Sequence, residues 1–471
     1  MVSFERRRSP WPWLAALAVV ATASAALWLN LPRVIALSPQ AGLQSADANT
    51  PISVTFNREM DEGSVESHFS IAPAVPGAFR WEGATLTFTP SQGWPPSTQV
   101  RVTLSAGAHS RLFLPLLGGT EWSFSVGAPQ VVYLFQAGGT AELYAQSLTA
   151  AEGTQLTNWP SGVVDFDVAP PAARIVYLAN GPDGRRVIHW LDPGTQKDDS
   201  VAACPGAGRC QRLRVSPDGR WAAVEAVPPG DQGSSPETDQ VWLVDLPGGQ
   251  DIHQLGDPTH NLRGVLWGPG GKLAVYDATD QVTVVFGAGP SFNVLARLPN
   301  RLGESGAWSP DGKYLLFPEI TFVPSPSPGT ETPVPGGQPA YYSHLKRFEL
   351  GTDLVSDLSG QANGVIEDAT PSYSPNGLWI AYGRRFLDPN DWTLGRQIWI
   401  MRSDGSDAHQ LTFSGDFNYS GFQWGADSKE FVYVRSDQTD PTRAPELGWV
   451  DLTTGQAHSL VVGGYAPLWM P

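Results

Sequence analysis

Cysteine is nearly missing from this chain: Cys204 and Cys210, in CPGAGRC, are the two among 471 residues. That excludes a disulfide-framed fold and a zinc site built from several thiolates. The short glycine-rich loop between them suits a disulfide in an oxidising compartment, with free thiols as the alternative. Basic residues are also short, 30 Lys and Arg against 46 Asp and Glu, for a net charge of −16. Nucleic-acid affinity comes mainly from neutralising phosphates, so nucleic acid is excluded as a partner. Histidine is scarce and scattered: His68, His109, His189, His253, His260, His344, His409 and His458, with no H-E-x-x-H. Each reads as a surface or packing residue, and no metal site is assigned. The chain also lacks a G-x-S-x-G nucleophile elbow and a phosphate-binding glycine loop in a strand-to-helix setting, so no catalytic residue is assigned and the chain is not read as an enzyme.

What is abundant is punctuation: 50 Gly and 42 Pro, too many for a mainly helical protein. With 18 Trp, 12 Tyr and 19 Phe, disorder is not the outcome; many short aromatic strands between turns are. The expectation is an all-β chain.

One long apolar run stands apart, WPWLAALAVVATASAALWLNL from Trp11 to Leu31, after Arg6, Arg7 and Arg8. It is long enough to cross a bilayer, and the arginines would keep the amino terminus inside. The reading is a cytoplasmic tip at 1–10 and a transmembrane anchor at 11–32, with a cleaved signal peptide as the alternative. On that reading the protein is a single-pass membrane protein with its bulk outside the cytoplasm, touching the membrane through this helix.

Residues 36–127 contain alternating apolar runs, PISVTFN (51–57), ATLTFTP (84–90), QVRVTLSAG (99–107) and EWSFSVG (121–127). Period-two alternation between Gly and Pro breaks predicts an antiparallel sandwich, with Trp81, Phe88 and Trp122 in its core. The pieces SPQAG (38–42), VTFNREMD (54–61), TLTFTP (85–90) and WSFSV (122–126) resemble the bacterial Ig-like domain of the SbsA type. That resemblance implies a spacer or adhesion-type module without catalysis. The LFLPLL stretch (112–117) departs from the pattern and is expected to pack on a neighbouring domain.

Residues 128–471 repeat. An apolar key residue, a turn and an apolar strand recur at Val168, Val215, Trp267, Trp308, Tyr373 and Trp424, every 41 to 65 residues. In Ser309-Pro310-Asp311-Gly312 each residue suits its place in a type I turn, so each motif predicts a hairpin. A second hairpin follows each, as in QVWLVDLPGGQDIHQL (240–255). Four strands per repeat make a propeller blade. An incomplete repeat at 131–156 lacks its first strand, and APLWMP (466–471) is a lone first strand keyed at Trp469. Closure by that C-terminal strand predicts seven blades. The S-P-D-G turns resemble the TolB-like propeller family, a likeness specific for fold and weak for function.

The turns joining first and second strands share one face, so the long loops share the other. Displayed loops on a rigid scaffold are where binding resides. Candidate binding residues there are Asp239, Asp388, Asp391, Trp392, Arg396, Asp437, Asp440 and Arg443, with drifting surface loops as the alternative. Asp388 and Asp391 carry oxygen ligands of the kind calcium takes, though DPND is better explained as a turn; no cofactor is assigned. Asp198-Asp199 is expected on an exposed turn. The functional expectation is a membrane-anchored binding or scaffold protein presenting a propeller face to an envelope protein or glycan. The alternative is an extracellular polysaccharide-acting enzyme with its site in the propeller funnel.

Overall fold

The computed structural model describes residues 31–471 except 44–45, 47–49, 92–93, 96, 138, 170–173, 182–183, 208, 228–238, 288–291, 323–340, 353, 360–365, 388–390 and 471. The chain divides into two compact units, 1–128 and 129–471.

In the first unit two antiparallel sheets face each other. Among the described residues one holds Val34–Ser38, Ile52–Phe56, Thr85–Pro90 and Gly77–Glu82, in that order, and the other holds Phe69–Ala72, Gln99–Leu104 and Thr120–Ser125. Alternation along each strand sends one set of side chains inward: Ile52, Val54 and Phe56 are buried on one strand and Val100, Val102 and Leu104 on another. Phe88 and Trp122 lie in this core, while Trp81 packs at its margin, stacked on Phe56. A second core tryptophan is one the alternation does not mark, Trp94 in a loop, whose indole N–H donates to the Thr50 carbonyl (2.8 Å). Within 112–117, Leu116 enters the core, whereas Leu112, Phe113 and Leu117 stand exposed.

The membrane anchor is not upheld. Among the described residues no helix is long and apolar enough to cross a membrane. Residues 11–30 lie outside the described residues, and the end of the proposed span is already sandwich: Asn57 donates to the Leu31 carbonyl (3.1 Å) and accepts from the Arg33 N–H (2.9 Å). The strand that follows, Val34–Ser38, pairs with Ile52–Phe56. Of this strand's apolar residues Val34 and Leu37 pack against the sandwich core, and a hydropathy reading cannot separate that use from a span. The transmembrane helix and the single-pass membrane location are therefore both withdrawn.

In the second unit the described strands form seven four-stranded blades. Blade 1 combines Gly464–Met470, as its inner strand, with Gln130–Ala137, Thr140–Ser147 and Thr154–Gln155. The inner strands of blades 2 to 7 are Val163–Ala169, Arg209–Val215, Leu262–Trp267, Ala307–Trp308, Ile366–Tyr373 and Phe417–Trp424. The carboxyl-terminal strand pairs with Gln130–Ala137 from Gly464↔Phe135 to Met470↔Gln130. Inner strands lie against their neighbours, including Val163–Ala169 against Gly464–Met470, so the ring is closed. Blades 5 and 6 also share one parallel pair, Ser343↔Glu367.

Each S-P-D-G motif is a turn held from inside. Gly312 donates its N–H to the Ser309 carbonyl (2.8 Å) and takes φ +67°. Ser309 Oγ donates to Asp311 (2.7 Å) and accepts from the Tyr314 N–H (2.9 Å). The key tryptophans at the ends of the inner strands latch the blades together. Trp267 donates its indole N–H to the Arg214 carbonyl (3.0 Å), Trp308 to Leu266 (3.2 Å), Trp424 to Ser372 (3.0 Å) and Trp469 to Gln423 (2.8 Å). In every case the acceptor is the residue just before the preceding blade's key residue.

Candidate functional site

Inner strands present backbone N–H groups that the next strand of their own sheet does not use, and carboxylates from the preceding blade take them. Between blades 2 and 3, Asp165 accepts from the Leu213 N–H (2.8 Å) and from Arg214 Nη1 (3.0 Å), and Asp167 accepts from the Val215 N–H (2.8 Å). Burial pushes the Asp167 carboxyl up to about 6, against the pull of Arg214 and of the Val215 and Val168 N–H groups. Between blades 3 and 4, Glu225 accepts from the Val265 N–H (3.0 Å).

Blade 6 adds charge at the loop-face end of its first two strands. Their register sets Glu367 opposite Arg385 and Asp368 opposite Arg384. Arg384 grips buried Asp368 with two bonds of 2.7 Å. Glu367 is held between two guanidinium groups, those of Arg385 and Arg396. Glu304 of blade 5 joins from the other side. Burial raises its carboxyl, Arg396 lowers it, neighbouring Glu367 raises it further, and the Thr370 N–H binds it. Thr370 sits at a bulge with φ +49°. Two groups in this cluster have no hydrogen-bond partner among the described residues: Arg396 Nε and Thr370 Oγ1, both shielded from solvent.

Arg396 ties this cluster to blade 7. Its N–H donates to Asn418 Oδ1 (3.1 Å), and its carbonyl accepts from the Tyr419 N–H (2.9 Å). Next to Asn418, the Phe417 ring lies under Arg435 and Arg443. Trp392 is 55% exposed, on the loop leading to Arg396, and Phe413 is 79% exposed on the adjoining loop. The two loops are joined by the Gly395 N–H to the Gly415 carbonyl (2.9 Å).

The sequence-derived candidates therefore separate. Arg396 belongs with Glu367, Arg385 and Glu304, whereas Trp392 stands exposed four residues earlier on the loop that leads to it. Asp391 is exposed at the start of the same loop, and Asp388 lies outside the described residues. Asp437 and Asp440 cap their own turns, accepting from Thr439 Oγ1 and Thr442 Oγ1 (2.6 Å each), and Arg443 binds Asp437 (3.3 Å). Asp239 stands apart on blade 3, where its carbonyl accepts from the Leu262 N–H (2.8 Å). Cys204 and Cys210 are joined by a disulfide, with Cα atoms 5.8 Å apart. Asp198 is not on a turn: it lies in Lys197–Ala203 and accepts from Tyr177 (2.5 Å) beside His189 (3.2 Å). Glu304, Glu367 and Arg385 were missed. A signal existed in the adjacent acids Glu367-Asp368 and the adjacent bases Arg384-Arg385 flanking one turn.

Residues 30–126 match the family model described as bacterial Ig-like domain. This segment is a bacterial Ig-like domain. Solved structures similar to the chain carrying it include TolB from Acinetobacter baumannii, at 12% identity over 94% of this chain and 99% of that one, with a TM-score of 0.42. A putative TolB from Agrobacterium tumefaciens is 14% identical over 72% of this chain and 92% of that one, TM-score 0.38. The β-propeller domain of the Trilobed protease from Pyrococcus furiosus is 11% identical over 72% and 97%, TM-score 0.46. The Ig-like domain is thus followed by a propeller whose assignment rests on its own strand order. Fold does not decide between binding and catalysis.

Proposed function

We propose that this is a binding protein whose propeller takes a protein or glycan partner on its loop face, at blades 6 and 7. The observation that supports this most is the Arg396 guanidinium, a quarter exposed and fixed by Glu367, on the loop that also carries exposed Trp392. Arginine and tryptophan are the residue types on which binding energy concentrates, and a rigid guanidinium offers directed hydrogen bonds. The ion pairs with Glu367 hold Arg396 before the partner arrives, which lowers the ordering cost of binding.

The test is a glycan array together with affinity capture, using the full chain. Trp392→Ala and Arg396→Ala are expected to weaken the captured interaction at least about tenfold, as removal of a central contact does. Asp239→Ala, on blade 3, is expected to leave it unchanged. Equal binding by all three variants would overturn the reading.

A second reading has one observation in its favour. Glu304, raised by burial, lies near Glu367, which is pinned between arginines. Two carboxyl groups in contrasting surroundings are what polysaccharide-acting enzymes use as acid and partner. Turnover of a polysaccharide that disappears in Glu304→Gln would favour this reading over binding alone.

A further inference from the structure

The fold brings together on blade 4 three side chains that are dispersed in sequence. We infer that His260, Asp277 and Asp280 form a site for a divalent metal ion of the zinc class. His260 lies in the connection that enters blade 4, before Leu262–Trp267. Asp277 ends the strand Leu273–Asp277, and Asp280 lies in the tight turn that follows. One imidazole nitrogen and one oxygen from each carboxylate lie within 4.8 Å of one another.

The arrangement is built rather than merely crowded. Asp277 is buried, and its Oδ1 accepts from the Thr279 N–H (3.0 Å) and the Asp280 N–H (3.4 Å). Those bonds fix the carboxylate so that Oδ2 faces His260 Nδ1 at 2.6 Å. Asp280 Oδ2 is 3.9 Å from the same nitrogen and more open to solvent. Arg297 Nη1 reaches that oxygen at 3.5 Å, and Asp257 adds a further negative charge near His260. Three carboxylates thus face one imidazole and one guanidinium, an excess of negative charge that a cation relieves.

The donor set selects the ion. Imidazole nitrogen with carboxylate oxygen suits zinc and its neighbours, whereas calcium takes six to eight oxygens. Three protein ligands leave the fourth tetrahedral position to solvent. Binding displaces to solvent the proton shared by His260 Nδ1 and Asp277, and it loosens Arg297 from Asp280. The site would clip the connection between blades 3 and 4 to the turn that joins the second and third strands of blade 4. Its residues are separate from those of the proposed binding face, so neither proposal depends on the other.

The experiment is a calorimetric titration of the full chain with Zn²⁺, run beside His260→Ala, Asp280→Asn and His253→Ala. His253 forms a comparable exposed pair with Asp251, at 2.6 Å, and is the control. The parent is expected to take up one ion that stabilises it to heat. His260→Ala and Asp280→Asn are each expected to bind at least about tenfold more weakly, and His253→Ala to bind as the parent does. Asp280 is partly exposed, so its variant decides the matter if His260→Ala fails to fold. No uptake by the parent, undiminished binding by Asp280→Asn, or loss in His253→Ala instead would overturn the site.

Discussion

Asp167 shows what a single carboxyl does in a ring of inner strands. It serves two backbone N–H groups, Val168 of its own strand and Val215 of the next blade, yet burial holds its carboxyl at about 6. Between about pH 4 and 6 the folded chain therefore binds more protons here than the unfolded chain. The sign follows: this group's contribution to stability is greatest below about pH 4 and falls as pH rises through 6. Asp167→Asn abolishes the titration. Urea unfolding between pH 4 and 7 should show the parent losing stability relative to the variant across that window. A constant difference would place the proton dependence elsewhere.

At the scale of elements, the bulges of the inner strands govern what faces what. Blades 4, 6, 7 and 1 each carry a bulge with a residue at positive φ: Gly264, Thr370, Gly421 and Ala466. Glycine takes that conformation freely, and a β-branched residue does not. Gly421→Thr is therefore expected to cost on the order of 1–2 kcal/mol, while Thr370→Gly costs little or nothing in stability. Thermal unfolding of the two variants checks this. The same bulge explains why the site was only half legible. The Ser374–Gly377 turn is plain in the sequence, and the first pairs beside it, Tyr373↔Ile380 and Ser372↔Ala381, follow from it. Counting on without the bulge sets Asp368 against Arg385 and leaves Glu367 facing Phe386. The extra residue near Thr370 shifts the register by one and brings Glu367 to Arg385. One-residue slips reverse faces, and nothing in PSYSPNG announces this one. The turns and key residues were legible because each turn requires particular residues. The indole latches between blades were not, since a key tryptophan reads equally as packing.

At the scale of the molecule, the decisive contact joins residues more than 300 positions apart, as in Gln130↔Met470. Without Gly464–Met470, blade 1 would expose the edge of Gln130–Ala137, and Trp469 would no longer bond the Gln423 carbonyl. Deletion of residues 464–471 is expected to abolish the propeller's cooperative thermal transition and promote association through the bare edge. A truncated chain that melts as the parent does would show that the ring does not need its seam. The repeat pattern made this architecture readable, because an orphan first strand and a blade lacking one have a single reconciliation. The membrane span was not readable in the same way: hydropathy reports apolar length, and here Leu31, near the end of that length, is already bonded to Asn57 of the sandwich.

Because the seam is a register pair, the ring has no intrinsic beginning. With residues 1–128 removed, covalently joining residue 471 to residue 129 through a short linker, and opening the chain in the Pro-rich stretch at 324–339, would give a rearranged polypeptide that keeps the strand pairing of each blade. Gene order within such a propeller is thus a matter of where the circle was cut, and the neighbourhood of Glu304, Glu367 and Arg396 would be the same in either arrangement.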